Sequence, residues 1–301
     1  MVVFSDRTTH SQTLQTTTST MNFKTLTFDR AASVATIRLN RPDAFNALNV
    51  QLLDELHEAL DAIEARDEVR ALLLSGNGRA FCSGADLNGV GGNGSVPLQD
   101  IAGLEDAERH KTLDRLGTGV RDALLQQHHP LIARLQALPI PSVCAVNGVA
   151  AGGGVGLALA CDIVVAARSA NFMQVFVPKL GLVPDCGSTW FLTQALGPAR
   201  ARALCLLGEP LSAVQAAEWG LIWSVVEDEH LQESALGIAQ RLAANPRLAT
   251  QLSKQAIQHA QQQTLVEQLD EEAELQRRCG ASPDFVEGVT AFQQKRRPRF
   301  E

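Results

Sequence analysis

The sequence predicts an α/β fold, and three observations carry the prediction. Short apolar runs of strand length recur between residues 23 and 167. Each is followed by a turn or by a stretch with helical spacing, and beyond Trp190 the pattern is almost wholly helical. Taken in order, "FKTLTF" and "VATIRLN" alternate like two paired strands around "DRAAS". Leu52, Leu53, Leu56, Leu60 and Ile63 then recur at helical spacing, and "ALLLSG" follows as a buried strand. Further on, "SVCAVNG" reads as strand and turn, "GGGVGLALA" as the opening of a packed helix, and "DIVVAA" as another strand.

The looser stretches are equally marked. Residues 1–20 are rich in Ser, Thr and Gln without apolar periodicity, which predicts a disordered extension upstream of Met21. Between Asn88 and Gly119, "NGVGGNGSVP" is Gly-rich and "LEDAERHKTLDRLG" is charged, which predicts a mobile surface insertion near the mouth of any site. "LVEQLDEEAELQRRC" suits an exposed helix with a solvated charged face. The tail "EGVTAFQQKRRPRF" mixes two Phe with four basic residues, more than a merely solvated tail requires.

Composition excludes several classes. The chain has 301 residues with 45% hydrophobic and 20% charged side chains, enough for a sizeable core. A net charge of −7 argues against nucleic acid, which needs clustered Lys and Arg to neutralise phosphates, but leaves room for a local basic patch. No apolar run approaches the roughly 20 residues of a membrane span. Cys82, Cys144, Cys161, Cys186, Cys205 and Cys279 are scattered with no CxxC pair, the pattern of reduced thiols in a cytoplasmic protein. Among seven histidines the only adjacent pair is His128–His129 and there is no HExxH, so no metal site is expected.

Two glycine-rich turns carry the chemistry. "AFCSGADL", from Ala80 to Leu87, follows a strand; "NGVAAGGGVG", from Asn147 to Gly156, follows another and leads into a helix. Such turns leave backbone N–H groups free to meet negative charge; alternatively, the glycines only let strand and helix pack closely. The spacing fits neither GxGxxG nor GxxxxGK[ST], which removes the nucleotide-loop readings, and no GxSxG elbow is present. The third motif is "LGLVPDCGSTW", where Asp185 stands alone. Behind it no Asp or Glu appears until Asp162, and behind that none until Asp122. Asp185 is either an N-cap for the helix beginning near Gly187 or a base. Leu180, Leu182, Val183 and Trp190 around it are expected to desolvate it and raise its pKa. Cys186 beside it reads as a packing residue, because no neighbouring His supports a thiol nucleophile.

Together "LNRPDAFNALN", "GRAFCSGADL", "AVNGVAAGGGVGLALACDIVVAA", "LGLVPDCGSTW", "LSAVQAAEWGLI" and "EGVTAFQQKR" resemble, in order and spacing, the crotonase family of enoyl-CoA hydratases and isomerases. The resemblance covers about residues 21–301. It implies a spiral of repeated ββα units over residues 21–220 and a helical trimerisation region over 221–301, assembled as a trimer or dimer of trimers. It also implies an acyl-CoA thioester as substrate, with coenzyme A entering as part of that substrate and no separate cofactor. By the family's motifs, the N–H groups of Ala85 and Gly153 bind the thioester oxygen as it becomes an enolate. Ser83, Gly84, Asp86 and Leu87 line the pantetheine and adenine. Phe292 and Lys295 match tail positions that contact CoA, and the phosphates meet basic residues, some lent by a neighbouring subunit. Arg41 either contacts CoA or anchors its loop.

The acids discriminate within the family. Hydratases hold a water between two glutamates, but Gly156 and Val177 occupy the matching positions here, and no gap placement restores the pair. Asp162 matches the structural start of the family's "CDI" strand. Family isomerases carry one acid at the position of Asp185, and one base suffices when the proton removed is the proton returned. Residues 176–229 are most similar to that isomerase branch, although Ser188 replaces a usual second Gly and the Asn88–Gly119 segment is longer; both lie where the acyl group is expected. The expected activity is therefore an acyl-CoA isomerase. An enoyl-CoA hydratase and a non-catalytic acyl-CoA binder are the alternatives.

Overall fold

A computed structural model describes residues 22–89 and 97–300; the extension read at residues 1–20 lies outside the described residues. The first hairpin is β1 (Leu26–Ala31) against β2 (Val34–Leu39), antiparallel, with Leu26 opposite Leu39. Helix α1 (Val50–Glu64) starts where the Asn49 side chain accepts a hydrogen bond from Leu52 N at 2.9 Å, and it buries the predicted Leu52, Leu53, Leu56, Leu60 and Ile63.

Next come β3 (Ala71–Gly76), β4 (Ala80–Cys82), α2 (Asp106–Ala123) and α3 (His129–Ala137). They are followed by β5 (Ser142–Val146), β6 (Val149–Ala151) and α4 (Gly153–Leu159), then by β7 (Ile163–Ala167), β8 (Asn171–Met173) and α5 (Ser188–Leu207). The chain closes with β9 (Leu211–Ser212), α6 (Ala213–Glu218), β10 (Ser224–Val226), α7 (Leu231–Ala243), α8 (Arg247–His259), α9 (Leu265–Gly280) and α10 (Pro283–Gln293).

The repeat is a strand–strand–helix unit. In the units that begin at β3, β5 and β7, the first strand joins a six-stranded sheet of order β1-β2-β3-β5-β7-β10 and the second a four-stranded sheet of order β4-β6-β8-β9; the opening β1 and β2 both lie in the larger sheet. Within both sheets the successive units pair in parallel, with Leu73 beside Val143 and Ala145 beside Val165 in the larger. The chain therefore advances as a spiral between two sheets. β3 and β5 are buried along their whole length, which explains why they read as continuous apolar runs rather than alternating ones. Helix α7 covers β3, β5 and β7. Asp162 serves this frame: its carboxylate accepts from Ser142 N at 2.7 Å and Ser142 Oγ at 2.9 Å and pairs with Lys254 at 2.7 Å, tying β7 to β5.

One expectation is refined and one corrected. The stretch beyond Trp190 is almost wholly helical as expected, with two exceptions: β9 extends the smaller sheet and β10 the larger. Both are very short, too short for a two-residue alternation to register. The segment read as a loose insertion is ordered from residue 97 onward: Leu98–Gly103 forms a 3₁₀ helix and α2 follows. Helix α2 has no buried residue, so it lacks the core-facing stripe that makes a helix legible. Its Gly-rich start at residues 90–96 lies outside the described residues.

Candidate active site

The two glycine turns meet. After β4 the chain turns through Gly84 (φ +92), and Leu48 N donates to the Gly84 carbonyl at 2.8 Å while Asp86 N donates to the Leu48 carbonyl at 3.0 Å. Ala85 N–H, between them, has no backbone partner among the described residues. After β6, Gly152 N donates to Met173 O at 2.9 Å, and its φ of +53 swings the chain into α4. Gly153 thereby becomes the first residue of α4, whose N–H no helical carbonyl can reach. A Cβ on Gly84 would lie 3.2 Å from Gly153 N, so the two turns abut.

Asp185 completes the cluster. A methyl group built on Gly153 would stand 3.5 Å from Asp185 Oδ1 and 3.0 Å from Cys186 Sγ. The N-cap reading of Asp185 fails: Gly187 precedes α5 in the left-handed region, and only the Asp185 main-chain carbonyl bonds the helix start, at 2.9 Å from Ser188 N. Asp185, Ala85 and Gly153 line one cavity of about 990 Å³, together with Ser83, Gly84, Asp86 and Leu87. Its other walls are mainly apolar: Leu48, Val50 and Leu53 near α1, Val175, Phe176, Leu180 and Leu182 before Asp185, and Leu116, Val120 and Leu124 at α2.

Burial raises the Asp185 pKa above its ordinary value, while the Cys186 thiol and the charges of His128 and His129 pull it back. Leu180 and Leu182 line the same cavity as Asp185, whereas Val183 is 78% exposed and Trp190 packs edge-on against Phe191. Burial, with the Asp185 charge, pushes the Cys186 thiol far above its usual range, which agrees with a packing role rather than a nucleophilic one. Asp86 is the other carboxylate on the cavity wall. Its pKa is lowered, chiefly by the Arg41 hydrogen bond, and Asn88 also donates to it. It is a weak base already occupied.

Several predicted residues fall elsewhere. Arg41 does not line the cavity; its Nη2 sits 2.8 Å from Asp86 and its Nη1 donates to Ala47 O, so it anchors the loop. Phe292, 85% exposed on α10, and Lys295 just beyond it are not brought to the cavity of their own chain. Ser188 is fully buried at the start of α5 and is not on the cavity wall, whereas Leu98, Ile101 and α2 of the longer segment are. Sequence reasoning also missed Arg115, Gln127, His128 and Lys179, polar residues on the wall. The adjacent His128–His129 pair is the available signal in the sequence.

The two positions of the hydratase acids hold no carboxylate. Gly156 lies against the Cys186 backbone, and Val177, 38% exposed, does not line the cavity.

Comparison with known proteins agrees with this architecture. The family profile described as Enoyl-CoA hydratase/isomerase matches residues 29–301. The chain is 47% identical over 267 residues to the 1,2-epoxyphenylacetyl-CoA isomerase of Escherichia coli K12, covering 89% of this chain and 94% of that protein. It is 40% identical to a probable enoyl-CoA hydratase of Rhodobacter capsulatus, covering 93% and 99%. Among solved structures, an enoyl-CoA hydratase subunit from Geobacillus kaustophilus superposes with a TM-score of 0.78 at 35% identity, over 93% of this chain and 98% of that one. The chain belongs to the enoyl-CoA hydratase/isomerase family, and its fold is the crotonase fold.

Proposed function

We propose that this protein is an acyl-CoA isomerase that works through a thioester enolate. The observation that carries the reading is the place of Asp185, the one cavity carboxylate without an ion-pair partner among the described residues, beside the free amide of Gly153. The thioester oxygen sits between the N–H groups of Ala85 and Gly153. Asp185 takes a proton from one carbon of the acyl group; the C–H electron pair moves into the enolate, and the same proton returns at another carbon. Amide donors of this kind are each worth roughly 10²–10³ in rate because charge reaches the oxygen only in the transition state. A raised pKa makes Asp185 the stronger base.

The finer proposal is an aromatic acyl group, with rearrangement of ring-1,2-epoxyphenylacetyl-CoA to oxepin-CoA as the reaction. It is supported by the likeness to the E. coli isomerase and by the breadth of the apolar cavity. Ser83 to Leu87 are proposed to line the CoA arm. A homotrimer or dimer of trimers is proposed on the exposed apolar side chains of the last two helices, among them Leu265, Val266, Phe285, Val286 and Phe292, and such packing would bring Phe292 and Lys295 to a neighbour's CoA. No cofactor beyond the substrate's own CoA is called for. Six free cysteines support a cytoplasmic setting, and no described helix is long and apolar enough to cross a membrane.

The likeness to proteins named enoyl-CoA hydratases favours a second reading, water addition through Asp185. Conversion of a 3-enoyl-CoA to its 2-enoyl isomer, without loss of the enoyl-thioester absorbance of crotonyl-CoA, decides for isomerisation. Retained isomerisation in Asp185→Asn with unchanged CoA-ester binding would refute the assignment.

A further inference from the structure

The helix along one cavity wall changes pitch at a single place. Between the end of α2 at Ala123 and the start of α3 at His129, residues Leu124–His128 form a π-helical turn. The sequence explains it. Pro130 is the second residue of α3 and has no N–H, so a regular ladder would leave the Gln126 carbonyl unpaired and in collision with the proline ring. The widened turn absorbs that break, and His129 N donates to Leu124 O, five residues back. One extra residue rotates the side chains on either side by roughly 100° relative to each other. Gln127 and His128 thus continue the cavity-facing stripe of Leu116, Val120 and Ala123.

His128 is held on one side only. Its Nδ1 lies 3.2 Å from Ala123 O, and because a carbonyl only accepts, the Nδ1 proton makes that bond. Its Nε2 is buried and has no hydrogen-bond partner among the described residues. The ring lines the cavity that holds Asp185, and its charge is felt by that carboxylate. Near it in sequence the wall is formed by Val120, Ala123 and Leu124 together with one polar side chain, Gln127. A buried ring nitrogen left unpaired in the free protein is a place for a ligand atom to pair.

We propose that His128 Nε2 binds an oxygen carried by the acyl group, so that the substrates of this cavity are acyl-CoA thioesters with an oxygen function beyond the thioester. The inference rests on the reading of the cavity as the acyl site. With Nδ1–H fixed on Ala123 O, the neutral ring accepts from a hydroxyl, and the imidazolium donates to an ether or epoxide oxygen. Either form satisfies both nitrogens without moving the ring from Ala123. An all-carbon acyl chain leaves Nε2 unpaired.

The test compares matched ligands by calorimetry on the full chain: phenylacetyl-CoA against 2-hydroxyphenylacetyl-CoA, and butyryl-CoA against 3-hydroxybutyryl-CoA. The wild type should bind one oxygenated member about tenfold more tightly, the worth of one well-placed hydrogen bond. His128→Phe, which keeps a ring of similar volume, should erase that preference while changing the affinity of the plain member less than about threefold. His128→Gln, whose amide reaches toward the position of Nε2, should restore part of it and guards against a folding defect in the Phe variant. No preference in the wild type for either pair, or a preference that survives His128→Phe, would overturn the proposal. Asp185→Asn run in parallel separates the two readings: it should lose turnover of a 3-enoyl-CoA yet keep the preference, whereas retained turnover sinks the base assignment alone.

Discussion

Gly156 and Cys186 are in such close contact that residue 156 has no room for a side chain. A Cβ on Gly156 would fall 2.1 Å from the Cys186 carbonyl oxygen and 2.8 Å from the Cys186 Cβ. The position that the family resemblance matches to a hydratase glutamate is therefore filled by the backbone that also delivers Asp185. One local arrangement removes one acid and places the other. The positive φ of Cys186 (+51) is part of it, since the chain must double back between Asp185 and Gly187 to press its carbonyl onto α4.

Restoring the missing acid should consequently fail. Gly156→Glu is expected to destabilise the protein by more than the about 1–3 kcal/mol usual for overpacking, because the clash is with main chain rather than a movable side chain. Thermal melting should show the loss, and crotonyl-CoA hydration measured by enoyl absorbance should not rise. A stable variant with new hydratase activity would contradict the packing argument.

Asp185→Asn should lower isomerisation by about 10²–10⁴, the range for losing a positioned base, with the Kd of a non-reacting CoA ester unchanged. In the wild type the acid limb of kcat should lie above the ordinary carboxylate range, since burial holds the proton on Asp185 to higher pH.

The same raised pKa carries a stability cost with a definite sign. The folded state binds the Asp185 proton more tightly than the unfolded state, so stability falls as pH rises from the unfolded value, 3.8, through the raised folded value. Above that window the cost is complete; below it the cost vanishes. Asp185→Asn should be more stable than wild type at neutral pH, by about 0.5–2 kcal/mol, and the two melting curves should converge in acid. Equal Tm values at neutral pH would show that Asp185 is not desolvated.

Arg41→Ala tests the anchor. The Arg41–Asp86 pair is largely shielded, with side chains 20% and 11% exposed, and its loss leaves Asp86 on the cavity wall without its cation. A destabilisation of about 1.5–3 kcal/mol is expected. It should be accompanied by a higher KM for CoA thioesters with a smaller change in kcat, as the loop from Ser83 to Leu87 loosens. Because Arg41 lowers the Asp86 pKa, its contribution is present above the unfolded carboxylate value and disappears as pH falls through the lowered folded one. The stability gap to wild type should narrow accordingly.

Gly153→Ala probes the spacing of base and donor. The added methyl group would stand 3.0 Å from Cys186 Sγ and 3.5 Å from Asp185 Oδ1, tight for sulfur and ordinary for oxygen. A drop in kcat of about tenfold or more, with KM nearly unchanged, is expected from a small displacement of the carboxylate. An unchanged kcat would mean that Asp185 does not act beside this amide.

Much of this was contained in the chain itself. The strand, turn and helix order, the two glycine turns and the solitude of Asp185 are properties of local pattern and of residue inventory, which no folding step can alter. That no acid occurs between Asp122 and Asp162 or between Asp162 and Asp185 is a fact about the sequence, and it excludes a glutamate pair drawn from these stretches. Tertiary structure decided the rest. It spent Arg41 on Asp86, closed Gly156 against Cys186, turned an apparent loop into the wall formed by α2, and brought His128 to the cavity of Asp185. Each of these joins residues far apart in sequence, and local patterns carry no information about such distances. Helix α2 stayed illegible for a related reason: its apolar stripe faces a cavity instead of the core, so the periodicity that marks a buried helix face was diluted by charge on every other side.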